Sequence, residues 1–565
     1  MQTLEQRALR NDLYLPPKRG LSMSPLVDRE FDERPQPPDT PLVGAWLLGQ
    51  HDPSRPAIVA EGRTTTFGEL ISRVHQLTNK FVDLGLRRGD VVAGLLFNGV
   101  EYYEIALACL QGGLYFVPIN THLAAPEVEY IVRDCQASVL VAHAELAGKI
   151  IGRIEDVVPH PVAIGAAPAN WCTYEAFSRF HTDEPPATRS LGALMLYTSG
   201  TTGRPKGVRR PISDVAPESS LDTVSSLLST VGVPEGPGRH LVCSPVYHAA
   251  PGGISLNLLH AGHTLYVLPS FDAETVLRTI GETAITSSHM VPTHFHRLLG
   301  LPADLRGSCD ISSMRSLIHA GAPCPPATKR AIIDWFGPIV WEYLGSTEGF
   351  VSSCSTQEWL EHPGTVGRPK PGVVAPRAPD GDRALRGVEG TIYFRASPFE
   401  YLGDSAKTAA AQWGDYTTAG DLGYLDDEGY LYLLDRRGDL ILTGGVNVYP
   451  AEVEGALIEH PAVADTGVVG VPDRDWGQRV VAVVQTAPGF DGNENLRAEL
   501  DQHVRSRLAG FKRPRDYIFV ADFPRSAAGK VPRHQLRELV AHQSDAVAST
   551  TQQTAEDSAT NGRNE

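Results

Sequence analysis

The chain has 565 residues, more than a single hydrophobic core supports, so several domains or subdomains are expected. Its 42% hydrophobic and 21% charged residues are ordinary for a globular protein. The formal net charge of −16 argues against a nucleic-acid partner, because a phosphate backbone calls for basic surface; it leaves room for a local basic pocket.

In chain order, residues 1–40 are polar and proline-rich and read as an irregular N-terminal arm, with no apolar stretch of the signal-peptide kind. A strand and helix alternation follows. "VVAGLLF" (91–97), "LYFVPI" and "ASVLVA" read as buried strands, and "GVEYYEIALACLQGG" and "APEVEYIVRD" as the helices between them. The apolar region 91–119 is broken by Asn98, Glu101 and Glu104, so no transmembrane segment is expected. The alternation resumes with "RHLVCSP" (239–245), a helix over 252–260, "HTLYVLP", "DAETVLRTIGE", "AITSSHM" and "VPTHFHRLLG". Two such series imply two packed, mainly parallel sheets. Near 390 the texture turns to glycine-rich β segments, and "VADTGVVGVP", "RVVAVVQTA" and "LRAELDQHVRSRL" form a smaller α/β unit. The fold class is therefore α/β. A large N-terminal domain (41–435) comprises two βαβ-type subdomains and a β-rich subdomain, a hinge follows at 436–438, then a small mobile C-terminal domain (439–540). The apolar-poor end, 541–565, reads as a disordered tail. The seven cysteines are scattered without a C-x-x-C pair, which fits reduced thiols in a cytoplasmic protein.

"YTSGTTGRPKGV" (197–208) has the parts of a phosphate-binding loop, with hydroxyls, mobile glycines and one lysine. It is not a P-loop, because Lys206 does not directly follow a glycine and no hydroxyl follows the lysine. Five more stretches stand downstream: "PVYHAAPGG" (245–253), "EYLGSTEG" (342–349), "TTAGDLG" (417–423), "DRRGDLILTGGVNVYPAEVE" (435–454) and "PRSAAGKVPR" (524–533). In this order and at these distances the six resemble the adenylate-forming superfamily of acyl-CoA synthetases, adenylation domains and luciferases, over about residues 40–540.

The resemblance implies activation of a carboxylic acid by ATP as an acyl-adenylate with loss of pyrophosphate, a reaction catalysed mostly by positioning and electrostatics. Thr198, Ser199, Gly200, Thr201, Thr202, Gly203 and Lys206 would wrap the phosphates. Gly321, Ala322, Glu342, Tyr343, Leu344, Gly345, Ser346 and Thr347 would line the nucleotide, with Leu344 standing where many relatives place an aromatic ring on adenine. Glu348, with Thr201, would hold magnesium, a hard cation that seeks oxygen ligands. Asp421, an acceptor-only carboxylate, and Arg436 would take the ribose. Lys530 would reach the α-phosphate during adenylation only, and Gly438 would be the hinge about which the C-terminal domain swings.

Two features favour coenzyme A as acceptor. Gly444 and Gly445 resemble the glycine pair lining a pantetheine tunnel, and Phe511, Arg513 and Arg515, with Trp476 near the tunnel, resemble a CoA-nucleotide patch. Loading of a separate carrier protein or amide formation are the alternatives. His248, with Tyr247, resembles the gate of acyl-CoA synthetases, where amino-acid-activating domains usually carry an aspartate. His289, His294 and His296 lack acidic or cysteine partners at ligand spacing and read as structural. The partners implied are a small carboxylic acid and no nucleic acid; a homodimer is compatible. The acyl class stays open among fatty, steroid side-chain and aromatic acids.

Overall fold

The structure, a computed structural model, describes residues 49–178, 181–198, 205–212, 215–217, 228–436, 439–443, 446–473, 476–525 and 533–543. The expected N-terminal arm and nearly all of the expected tail lie outside these residues. So do Ser199, Gly200, Thr201, Thr202, Gly203, Gly438, Gly444, Gly445 and Lys530.

The architecture is mixed α/β, with a large N-terminal domain built on parallel sheets and a smaller C-terminal domain. The first sheet has six parallel strands, in the order Cys172–Thr173, His160–Ile164, Val139–His143, Val91–Leu95, Tyr115–Pro118, Ala193–Leu194. Its central strand is buried on both faces, which is why it reads as an unbroken apolar run. The helix Val100–Gly112 feeding Tyr115–Pro118 is buried almost all round. It stops on Gly113, whose φ of +72° is the left-handed turn that a glycine takes most cheaply. Glu104, on that helix, is buried with a 2.6 Å hydrogen bond from the Tyr174 hydroxyl and Arg73 at 3.7 Å, so it marks a paired core charge.

The second sheet has eight strands: Phe350–Cys354, Val340–Gly345, Ser316–His319, Ser287–Met290, Arg239–Val242, Thr264–Val267, Pro56–Ala60, Arg63–Thr66. All neighbours are parallel except the pairs at the two edges. The Pro56–Thr66 hairpin is an addition to the sequence reading. It joins this sheet beside Thr264–Val267 and leads into the helix Phe67–Asp83, which starts on a capping box between Thr66 and Glu69.

Residues 374–436 supply an antiparallel sheet. The C-terminal domain is a five-stranded sheet of its own, with the helices Pro450–Ile458 and Glu494–Arg505 sharing a core that includes Val453, Leu457, Val480 and Leu500. Among the described residues, no helix is long and apolar enough to cross a membrane.

Candidate active site

The phosphate-loop candidate is carried on a hairpin. Strands Leu196–Thr198 and Lys206–Arg209 pair antiparallel with Lys206 opposite Thr198, so the two ends of the loop are held in register. The Tyr197 hydroxyl donates to Asp134 at 2.6 Å, which fastens the hairpin to the helix Ala125–Asp134. Gly207 leaves room for that ring: a Cβ there would stand 3.0 Å from the Tyr197 ring, a tight contact. Lys206 Nζ lies 3.4 Å from Asp404 Oδ2. Asp404 also caps the helix Ser405–Ala410, accepting from the Lys407 amide at 2.9 Å. That amide, and then Lys206, holds the Asp404 carboxyl below its ordinary range.

The strand Val340–Gly345 runs out into a turn in which the Ser346 amide donates to Gly349 O at 2.8 Å and the Gly349 amide returns to Ser346 O at 3.2 Å. Glu348 is set in this turn and is only 6% exposed. The Tyr401 hydroxyl donates to Glu348 Oε1 at 2.7 Å, and one Arg210 nitrogen donates to the carbonyls of Thr347 and Glu348 at 3.1 and 2.7 Å. Burial, and then the Glu348 charge, raises the Tyr401 pKa, so this phenol keeps the proton it donates. Arg210 directly follows the hairpin strand Lys206–Arg209, and Tyr401 pairs with Val208 of that strand in a three-stranded sheet. The hairpin and the Glu348 turn are thereby brought together. Sequence reasoning passed over Arg210, Tyr401 and Asp404; only Arg210, adjoining the motif, left a signal that could have been used.

On the same strand, the Glu342 carboxylate is spent on Lys329, which is fully buried, with His319 Nε2 at 3.7 Å. Leu344 is half-buried and packs against a cluster including Val351, Val366 and Leu431. Tyr343 stacks on Phe350 at 5.8 Å. Gly321, at φ +89°, and Ala322 form the bend after the neighbouring strand Ser316–His319. Asp421 and Arg436 stand directly opposite each other in the antiparallel pair of Asp421–Leu425 with Leu431–Arg436. Positions 444 and 445 fall between the paired strands Ile441–Thr443 and Val446–Val448.

His248 occupies the N-cap position of the helix Ala249–His260, its ring 4.6 Å from that of Tyr247. Of the small residues beside it, Gly252 is a packing glycine, since a Cβ would come within 2.3 Å of Val246 O, whereas a Cβ on Gly253 would meet nothing. In the C-terminal domain the Arg515 guanidinium lies 5.1 Å over the exposed Trp476 ring. Phe511 is exposed as well, and Arg513 instead donates to Leu508 O at 3.1 Å. His294 stacks flat on Phe271 at 3.7 Å, as a structural histidine would. No group of three His, Cys, Asp or Glu suited to a metal ion occurs among the described residues.

A family model described as AMP-binding enzyme matches residues 48–398, and one described as AMP-binding enzyme C-terminal domain matches residues 452–530. Fatty acid–[acyl-carrier-protein] ligase ScoC of Streptomyces coeruleorubidus is 32% identical over 509 residues, covering 86% of this chain and 94% of that protein. 2-Succinylbenzoate–CoA ligase of Bacillus licheniformis is 31% identical over 501 residues, covering 87% and 98%. Among solved structures, the anthranilate CoA ligase AuaEII in complex with anthranoyl-AMP superposes with a TM-score of 0.79 at 26% identity, covering 89% of this chain and 98% of that one.

Proposed function

We propose a function from one premise: this chain belongs to the AMP-binding enzyme family, a family of ligases. The chain is an acid–thiol ligase. A carboxylate oxygen of the acid attacks the α-phosphorus of ATP, the bond to the β-phosphate breaks, and pyrophosphate leaves with the electron pair. The thiol of coenzyme A then displaces AMP from the acyl carbon.

The observation that carries this reading is the convergence of the Lys206 hairpin and the Glu348 turn through Arg210 and Tyr401. Lys206 supplies a point charge that can exchange Asp404 for a phosphate oxygen. Asp421 and Arg436, opposed across their strands, take the ribose. Lys530 serves the adenylation step alone, and a swing about Gly438 brings Gly444 and Gly445 to the thiol. The Trp476 and Arg515 pair offers an aromatic face and a cation to the CoA nucleotide, which supports a CoA acceptor. Transfer to the thiol of a carrier protein is the second reading, favoured by the relationship to ScoC.

Magnesium fits the residues present. Glu348 is a buried carboxylate with one oxygen fixed by Tyr401, and a single protein carboxylate suits a cation that takes its other oxygens from phosphate and water. Glu348 and Thr201 would hold the ion there, and it would supply neutralisation of phosphate charge. The free cysteines support a reducing, cytoplasmic setting.

The test is incubation with ATP, magnesium, CoA and a panel of carboxylic acids. AMP, pyrophosphate and an acyl-CoA are expected. ADP and inorganic phosphate as products would refute the assignment.

A further inference from the structure

On the strand Ser287–Met290, successive side chains alternate between the two faces of the sheet. Met290 packs on one face with Phe295 and Leu317. The other face carries Ser287, His289, the adjoining Ile318 and Tyr343, and it meets the helix Ala249–His260 through Ile254 and Leu256. The helix it meets begins directly after His248, and Tyr343 directly precedes the stretch Leu344–Glu348. It also lies toward the carboxyl ends of parallel strands, where open α/β sheets bind their ligands.

Two histidines on this face differ in their partners. His240 Nδ1 meets Ser287 Oγ at 2.9 Å. His289, nearer the carboxyl end, is 3% exposed, has the Tyr343 hydroxyl 3.5 Å from Nε2, and has no partner for Nδ1 among the described residues. Burial lowers the His289 pKa to about 4, so the ring is neutral, and burial also raises that of Tyr343, so the phenol keeps its proton. Assigning the phenol as donor to Nε2 puts the imidazole proton on Nδ1, where the described residues offer it no acceptor. Such a donor costs more free energy than an apolar group would, which makes it a selective feature once a ligand supplies an acceptor. A neutral donor is matched by a neutral oxygen.

We propose that His289 selects the acid, with Nδ1 donating to an oxygen on the body of the substrate, so that hydroxy-, methoxy- or oxo-substituted carboxylic acids are preferred over plain hydrocarbon acids. This rests on the acid-activating reading above and narrows its substrate class.

The test is pyrophosphate release by the full chain with matched acids. Cinnamic acid is compared with its hydroxy and methoxy derivatives, and a straight-chain acid with its terminal hydroxy and oxo derivatives. For wild type, kcat/KM is expected to favour the best oxygenated member of a pair by roughly 10- to 100-fold, the effect of leaving one buried donor unpaired. His289→Leu should bring that ratio close to one while plain acids are still activated. His289→Asn, which restores an N–H, should recover part of it. Because each ratio compares two acids on one protein, loss of folded protein does not move it. A wild-type ratio near one, or a wild-type ratio retained by His289→Leu, overturns this inference alone. Absence of pyrophosphate release with every acid overturns the ligase reading, and the inference with it.

Discussion

Replacing Tyr401 by phenylalanine removes one oxygen atom and the 2.7 Å hydrogen bond to Glu348, and leaves the ring between Phe399 and Lys407 in place. Glu348 is 6% exposed, so little water is at hand to replace the lost donor. A hydrogen bond to a charged group contributes about 1.5–3 kcal/mol. At about 1.4 kcal/mol per factor of ten, that is roughly 10- to 150-fold in whatever depends on the carboxylate being held. Outer partners of metal ligands carry a similar weight, about 10- to 100-fold. The assay is pyrophosphate release at saturating acid, with magnesium titrated at fixed ATP. Tyr401→Phe should require more magnesium and show a lower kcat/KM for ATP, with the thermal midpoint little changed. Glu348→Gln should lower adenylation further. In the double variant the tyrosine should add less than it does alone, since both act through one contact. Unchanged magnesium dependence in Tyr401→Phe, or full additivity with Glu348→Gln, would refute the view that Tyr401 works through the glutamate.

Changing Arg515 and Trp476 together to alanine should raise the KM for CoA and leave acyl-adenylate formation near wild type; equal loss in both half-reactions would remove the pair from the CoA site. Lys530→Ala should slow acyl-adenylate formation by roughly 10²–10³-fold, the effect of one preorganised charge, and spare thioester formation from supplied adenylate. Gly438→Pro, which fixes φ near −65°, should do the reverse, and a split assay of the two half-reactions decides both. Burial holds the pKa values of His260, His263 and His289 at about 4 and that of His294 at about 3, against 6.5 in an unfolded chain. The unfolded chain therefore binds more protons, so stability is complete above about pH 6.5 and falls as the pH drops toward 4. A urea midpoint that does not move over that window would show these rings to be protonated in the folded state.

The parallel strands were legible because burial on both faces writes them as apolar runs: "VVAGLLF" covers Val91–Leu95, and "APEVEYIVRD" has the bounds of the helix Ala125–Asp134. The hairpin Pro56–Thr66 was not, since its place depends on Thr264–Val267, a partner far along the chain with no local sign. The site divides in the same way. The residues proposed to meet small molecules sit in glycine-rich motifs, whose spacing shows in one dimension. Residues that hold those motifs in place act through strand register or buried pairing. "FEYLGD" discloses neither the pairing of Tyr401 with Val208 nor its contact with Glu348. "PPATKRAIIDWF" likewise does not disclose that Lys329 is buried against Glu342, because a lysine is rarely enclosed unless a partner awaits it.

The support given by Tyr401 and Asp404 bears on where this protein can be divided. Both belong to the short stretch that includes Glu400–Tyr401 and Ser405–Ala410, one fastening Glu348 and the other Lys206. The AMP-binding match ends at residue 398, just before them. A chimera spliced there would inherit the Lys206 hairpin and the Glu348 turn and lose the anchors beneath those two charges. Moving the splice beyond Ala410 keeps those anchors with the motifs, so swaps intended to exchange substrate preference between relatives should carry this stretch along with the hairpin it pairs to.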